Sequence, residues 1–312
     1  MLVTNGIQRV NSLLQYSRSA WHDTLCNVHL LIWNLSLILL QGNLKTLNIN
    51  PEERQIARKR HLKEYCHKHT FNKSPRPEEF LQLAVDDEQK LIYCVIPKVG
   101  SKTWKRVLVQ PRGLQPGIHR WDAWKRLSSY TAKERKQRLE TYFKFVFVRE
   151  PLWRLLSAYK DRLIKHSSTT RKERRNIVKA YRPKEFKPNG KKFVSFREFI
   201  QYYSDNKTRN QHWRQYEKLC QPCIIDYNFI GHLKTLEEDA PLLLKMAGID
   251  DRVTLPPVHK STSSSEVLEY YSQVPSEYIT RIGELYRSDF EMFGYDFLGE
   301  VRLLLKHSSS SH

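Results

Sequence analysis

Lys98, Gly100, Ser101, Lys102 and Thr103 stand within six residues of one another in PKVGSKTWKR, directly after an apolar run at 91–96. Cations, hydroxyls and a glycine at the end of a strand suit an anionic group. Backbone N–H groups left unpaired in the first turn of a following helix, the positive end of its dipole and these side chains all converge on one phosphate or sulfate. Arg149 follows a second buried run at 143–148, in REPLWRLLSAYKDRL. An arginine at a strand end can hold a second phosphate through two parallel hydrogen bonds. Ser157, two turns into the helix that follows, reads by itself as a solvent-facing residue.

The elements that must position these residues follow from periodicity. Residues 91–96 read as a short buried strand, and a helix starts near Lys102. Residues 143–148 read as a second strand. Pro151 suits a first helical position, and Leu152, Leu155, Leu156, Tyr159 and Leu163 share one helical face. A third strand is expected at 224–230, with helices at about 50–73, 132–140, 195–203, 235–246, 264–271 and 275–290. Strand alternating with helix predicts an α/β fold, a single domain with a central parallel sheet covered by helices on both faces. The organisation expected is an N-terminal segment at 1–50, a helical stem or linker at 51–77, a catalytic domain at 78–300 and a tail at 301–312.

A nucleoside-triphosphate P-loop is the rival reading of the first turn, and spacing excludes it. With Lys102 as the motif lysine, Ser101 would replace the second glycine and Ile96 the first, so both glycines that let backbone wrap the phosphates are missing. The run at 143–148 ends in Arg149, where a magnesium ligand would be acidic.

The chain has 312 residues, 40% of them hydrophobic, with seven Trp and sixteen Tyr, which excludes a disordered chain. Its 53 Lys and Arg against 33 Asp and Glu leave a charge of +20, which implies a polyanionic partner: nucleic acid, an acidic membrane surface or an acidic polysaccharide. The segment 165–192 holds eleven of these cations and two Glu, and reads either as a solvated loop or as a polyanion-binding one. Residues 25–40 form an apolar run preceded by Arg9 and Arg18, in the orientation of a signal anchor with a lumenal C-terminus; a buried helix is the alternative.

Of five cysteines, Cys220 and Cys223 make a C-x-x-C pair, for which zinc, redox chemistry and disulfide bonding compete. A closed zinc site needs four ligands and there is no second C-x-x-C, so disulfide bonding in an oxidising lumen is preferred, with partners open, and no metal is expected. Asn72 and Asn206 begin glycosylation sequons.

PKVGSKTWKRVL and FVFVREPLWRLLSAYKDRL together resemble the two signature elements of Golgi carbohydrate sulfotransferases of the chondroitin and dermatan 4-O-sulfotransferase group, which includes N-acetylgalactosamine 4-O- and glucuronyl 3-O-sulfotransferases. NQHWRQYEKLCQPCIIDYNFIGHLKTLEEDA resembles the third block of that family and HKSTSSS its fourth. The resemblance implies a P-loop-like sulfotransferase fold, a type II Golgi membrane protein, and transfer of a sulfuryl group from 3′-phosphoadenosine 5′-phosphosulfate to a sugar hydroxyl of an acidic glycan, most simply of chondroitin or dermatan type, leaving adenosine 3′,5′-bisphosphate. The acceptor is then the polyanion and nucleic acid is not. A sulfotransferase-like protein that binds polyanions without catalysis is the alternative.

By the same resemblance, Lys98, Val99, Gly100, Ser101, Lys102, Thr103 and Trp104 hold the 5′-phosphosulfate, and Arg149 and Ser157 the 3′-phosphate. Lys98 also neutralises the departing oxygen. His119, in PGIHRWDAW, is similar in position to the catalytic histidine of related sulfotransferases and is the expected base. His212, in the third block, is the competing base, and Lys260, Ser261 and Thr262 line the site. Lys102 departs from the family, where Thr is common.

Overall fold

The structure, a computed structural model, describes residues 50–69, 76–112, 124–165, 168–187, 193–206, 210–257 and 262–308. All of them after Asn50 belong to one compact unit, Pro51–His312. The apolar run at 25–40, His119, Asn72, Lys260 and Ser261 lie outside the described residues.

The chain enters through α1 (Pro51–Lys68), with Glu52 and Glu53 in its first turn and His67 and Lys68 in its last, each favourable to the helix dipole. A hairpin follows, β1 (Leu83–Asp86) and β2 (Leu91–Cys94). Helix α2 (Ser101–Leu108), the two-residue β3 (Lys125–Arg126), α3 (Ala132–Thr141) and β4 (Phe143–Val148) come next. Thr131 and Glu134 close a reciprocal capping box at the start of α3. Pro151 opens α4 (Pro151–Tyr159), which runs into a π-helical turn at Lys160–Ile164. Then come α5 (Arg171–Tyr181), α6 (Phe196–Asn206), α7 (Tyr216–Cys220), β5 (Phe229–His232), α8 (Leu236–Ala247), α9 (Ser264–Ser272), α10 (Ser276–Leu285), α11 (Arg287–Met292) and α12 (Phe297–Ser308).

The five-stranded sheet has the order β3-β1-β2-β4-β5. Strands β2, β4 and β5 are parallel, in the register Tyr93 to Phe145 to Phe229, as alternating strand and helix predicts. The sheet is mixed rather than purely parallel, because the β1–β2 hairpin adds an antiparallel edge and β3 extends it. The first strand stops at Cys94, since Pro97 and the turn after it take the backbone off the ladder. The third starts at Phe229 instead of 224: Ile224 and Ile225 donate to the Gln221 carbonyl in a turn that Gln221 enters with a positive φ of 47°.

One core cluster joins the sheet to α2, α7 and α8, and a second joins α4, α5, α6, α9, α10 and α12. Three segments differ from expectation. Helix α1, read as stem, is docked on β5: the Gln55 side chain donates to the Ile230 carbonyl at 2.7 Å and accepts from the Ile230 N–H at 2.9 Å. Part of the basic segment is ordered as α5, whose Ile177 and Val178 are buried in the second cluster. The tail from 301 is helical through α12, with Val301 and Leu304 buried.

Disulfides Cys66–Cys223 and Cys94–Cys220 engage both thiols of the C-x-x-C pair, so neither is a zinc thiolate and they do not bond each other. Among the described residues no group of three or more His, Cys, Asp or Glu could hold a metal, and no helix is long and apolar enough to cross a membrane.

Candidate active site

The turn between β2 and α2 is strained. Lys98 has a φ of 74° and Gly100 a φ of 84°, the left-handed region that costs a side-chain-bearing residue about 1–2 kcal/mol. Lys98 bears that cost, whereas Gly100 avoids it and caps α2. A Cβ at Gly100 would meet Leu233 Cδ1 at 3.3 Å, so this corner is also closed sterically.

A cavity of about 340 Å³ opens on that turn. Lys98, Gly100, Ser101, Lys102 and Thr103 line it, and Ser157 joins them from α4, so six of the nine residues expected at the donor site share one space. The side chains of Val99 and Trp104 are instead buried in the core, Trp104 against Phe145 and Phe147 at 5.5 and 4.8 Å between ring centroids, which leaves their backbone alone to meet a donor. They hold α2 on the sheet and do not face the cavity. Arg149 is buried, outside the cavity lining, with its guanidinium carbon 6.0 Å from the Trp153 ring centroid. Burial lowers its affinity for a proton, and an anionic partner would restore it. Its backbone is fixed by Tyr216, whose hydroxyl donates to the Arg149 carbonyl at 2.6 Å and accepts from the Arg149 N–H at 3.1 Å.

Lys105, Arg126, Asp161 and Arg162 also line the cavity and were not read from the sequence. Lys105 lies one turn beyond Lys102 on α2, a spacing that could have shown it. Arg126 comes from the two-residue β3 and the other pair from the π-turn, which carry no periodic signal. Burial, with Arg126, Lys102 and Arg162 nearby, pushes the Lys105 ammonium down to about 8. The Lys98 ammonium is likewise lowered by burial, against the pull of Asp161 3.4 Å away. Burial raises the Asp161 carboxyl, but Lys98 and Arg162 more than offset it and hold it low. Crowded cations whose charged forms burial disfavours are a demand for anion.

His212, 6% exposed, also lines the cavity. The Oδ1 of Asn210 accepts the backbone N–H of His212 at 3.0 Å and lies 2.8 Å from its ring Nδ1, while Asn210 Nδ2 donates to Glu173 Oε1 at 2.9 Å. The backbone donor and the Glu173 acceptor fix the amide orientation, so Nδ1 carries the hydrogen and Nε2 keeps its lone pair. Burial, then Arg162 and Arg154, push the imidazole down to about 4. A neutral imidazole of fixed tautomer beside an anion cradle can take a proton from a hydroxyl during group transfer.

Arg154, 1% exposed, unites the two halves of the site. From α4 it donates to the carbonyls of Pro97, Gln211 and Arg214 at 3.2, 3.0 and 2.8 Å. The Lys98 turn and the His212 turn are thereby tied to one guanidinium.

A family profile described as "Sulfotransferase family" matches residues 81–296. The chain is similar to carbohydrate sulfotransferase 10 of Gallus gallus, at 35% identity over 246 residues covering 70% of this chain and 68% of that one. Carbohydrate sulfotransferase 10 of Homo sapiens matches with the same identity and coverage. Carbohydrate sulfotransferase 11 of Rattus norvegicus is 32% identical over 248 residues, covering 73% of this chain and 70% of that one. No solved structure matches the chain.

Proposed function

The chain belongs to the sulfotransferase family, and on that premise we propose that it is a carbohydrate O-sulfotransferase. It takes a sulfuryl group from 3′-phosphoadenosine 5′-phosphosulfate to a hydroxyl of an acidic glycan of chondroitin or dermatan type. The observation that carries this reading is the single cavity where the strained Lys98–Gly100 turn, the hydroxyls of Ser101, Thr103 and Ser157, and His212 meet. Its residues suit the donor: the left-handed corner at Gly100 leaves backbone N–H groups for an anion, and lysines whose charge burial disfavours gain from one.

When bound, the donor supplies the sulfuryl group, which parts from the 5′-phosphate as its S–O bond breaks. Lys98, Lys102, Ser101 and Thr103 hold the 5′ end, and Arg149 with Ser157 the 3′-phosphate. Lys98 exchanges its pairing with Asp161 for the charge that grows on the leaving phosphate, a stabilisation of the preorganised kind. His212 Nε2 receives the proton of the attacking hydroxyl, and Asn210 keeps the ring in register. This assignment departs from the expectation of His119, which paired variants separate. General-base action is worth about 10²–10⁴ in rate.

Two disulfides support an oxidising compartment. The Golgi lumen, with 25–40 as membrane anchor, is the reading that agrees with them.

The test is incubation of the purified protein with radiolabelled donor and a panel of chondroitin, dermatan and desulfated heparin. Transfer is expected in the wild type, and loss of transfer with retained adenosine 3′,5′-bisphosphate binding in His212→Ala. Full turnover in His212→Ala with loss in His119→Ala would return the role to His119. Donor binding without transfer to any acceptor would favour a polyanion-binding protein.

A further inference from the structure

Helix α5 has two unlike faces. Arg174, Ile177 and Val178 are buried, and Arg174 donates to the Arg162 carbonyl at 3.2 Å and to Thr170 Oγ1 at 2.9 Å, so the helix is held rigidly. On the other side Lys172, Arg175 and Lys179, at spacings that share a helical face, are exposed and line a cavity of about 620 Å³. No acid neutralises them among the described residues. Glu173 is engaged with Asn210, and Glu185 pairs with Arg182 at 3.0 Å.

The cavity also has an aromatic wall, Phe186, with the Arg175 guanidinium carbon 6.0 Å from its ring centroid. Cations beside a half-buried ring match the chemistry of an acidic sugar, which offers carboxylate or sulfate oxygens along its edge and C–H groups on its face. Nucleic acid would call for stacking rings in series, and among the described residues one ring lines this cavity. A flat lipid surface would not need a concavity.

This face is coupled to the reaction cavity by two short paths. Glu173, next to Lys172, holds Asn210, which holds His212. Arg174 holds the carbonyl of Arg162, whose side chain lines the reaction cavity. We propose that the Lys172, Arg175 and Lys179 face of α5, with Phe186, is a secondary binding site for an acidic polysaccharide. It grips acceptor units several sugars away from the one that reacts. The inference rests on the glycan reading above.

The experiment uses the full chain and Lys172→Ala/Arg175→Ala/Lys179→Ala, all three solvent-facing, with Phe186→Ala as an independent second variant. Polymeric chondroitin and a chondroitin tetrasaccharide serve as acceptors. Three exposed charge contacts predict a KM for the polymer raised about tenfold in the triple variant, with kcat and the tetrasaccharide KM unchanged. Phe186→Ala is expected to raise the polymer KM alone as well. The polymer and tetrasaccharide KM rising together, or neither rising, would overturn the proposal. Should no acceptor be sulfated at all, the proposed function fails, but titration of chondroitin against both proteins still reads this site. Equal affinity for chondroitin, with affinity for polyuridylate lost in the triple variant, would reject it in favour of nucleic acid.

Discussion

Arg154 donates from Nε to the carbonyl oxygen of Pro97 at 3.2 Å, and this bond fixes the residue immediately before Lys98 from a helix more than fifty positions later. Its other two bonds reach the turn of His212, so one side chain sets the distance between the cation proposed at the leaving group and the proposed base. Arg154→Met is expected to leave the carbonyls of Pro97, Gln211 and Arg214, half-buried at the first and last, without this donor. The loss in unfolding free energy should be about 2–4 kcal/mol, read by urea titration. Arg154→Lys keeps the charge but not the fork. It should recover part of the stability while donor affinity, measured by titration with adenosine 3′,5′-bisphosphate, stays weakened.

The pH profile follows from His212. A base works unprotonated, so its activity is lost as pH falls through its own pKa. Burial and the neighbouring Arg162, Arg154 and Lys98, opposed by Asp161, put that point at about 4. The acidic limb of kcat/KM is expected there, well below the ordinary histidine value of about 6.5. Arg162→Met removes one of the cations and should move the limb upward. A wild-type limb near the ordinary value that Arg162→Met leaves in place would contradict the assignment.

What was legible in the sequence tracks what is local. Strand β4 was read to its ends because Phe143–Val148 is apolar but for Lys144 and stops at a charged pair followed by Pro151. The cluster from Lys98 to Thr103 was legible because the turn must present all its groups at once. Strands β1 and β3 were not, being four and two residues long and defined by pairing partners elsewhere in the chain. The support of His212 was equally hidden. Asn210 and Glu173 lie 37 positions apart and meet only because α5 packs beside that turn. Val99 and Trp104 show the opposite failure, since a motif's boundaries do not say which of its members face inward.

Gly100 can be tested alone. Alanine there must hold a φ of 84° and bring a Cβ to 3.3 Å from Leu233. Gly100→Ala is expected to cost about 1–2 kcal/mol of stability, seen as a lowered Tm. Donor KM should rise more than kcat falls, because the cradle changes shape while the base stays put.

Glu150 predicts how stability varies with pH. Partly buried, it accepts the N–H groups of Leu152 and Trp153 at 3.1 and 2.6 Å. Burial pushes its carboxyl from 4.5 up to about 8, with Glu300 adding to the shift and those bonds and Arg149 opposing it. Between these values the native chain holds a proton that the unfolded chain has released, so stability falls as pH rises through the window. Asp289, pushed up to about 7 by burial, acts in the same direction. Glu150→Gln should flatten part of the decline, measured as urea midpoints at about pH 5 and about pH 9.

The clasp between Gln55 and Ile230 bears on how the protein can be divided. Strand β5 is the last of the sheet, and its outward N–H and C=O at Ile230 are answered by a side-chain amide instead of another strand. Arg58 adds a bond to the same carbonyl at 3.0 Å and an ion pair to the fully buried Asp239 at 2.6 Å. A fragment beginning at residue 78 would lose both, leaving an open β-edge and a stranded buried carboxylate, the two conditions under which chains recruit one another into aggregates. Helix α1 is therefore the guard of the sheet.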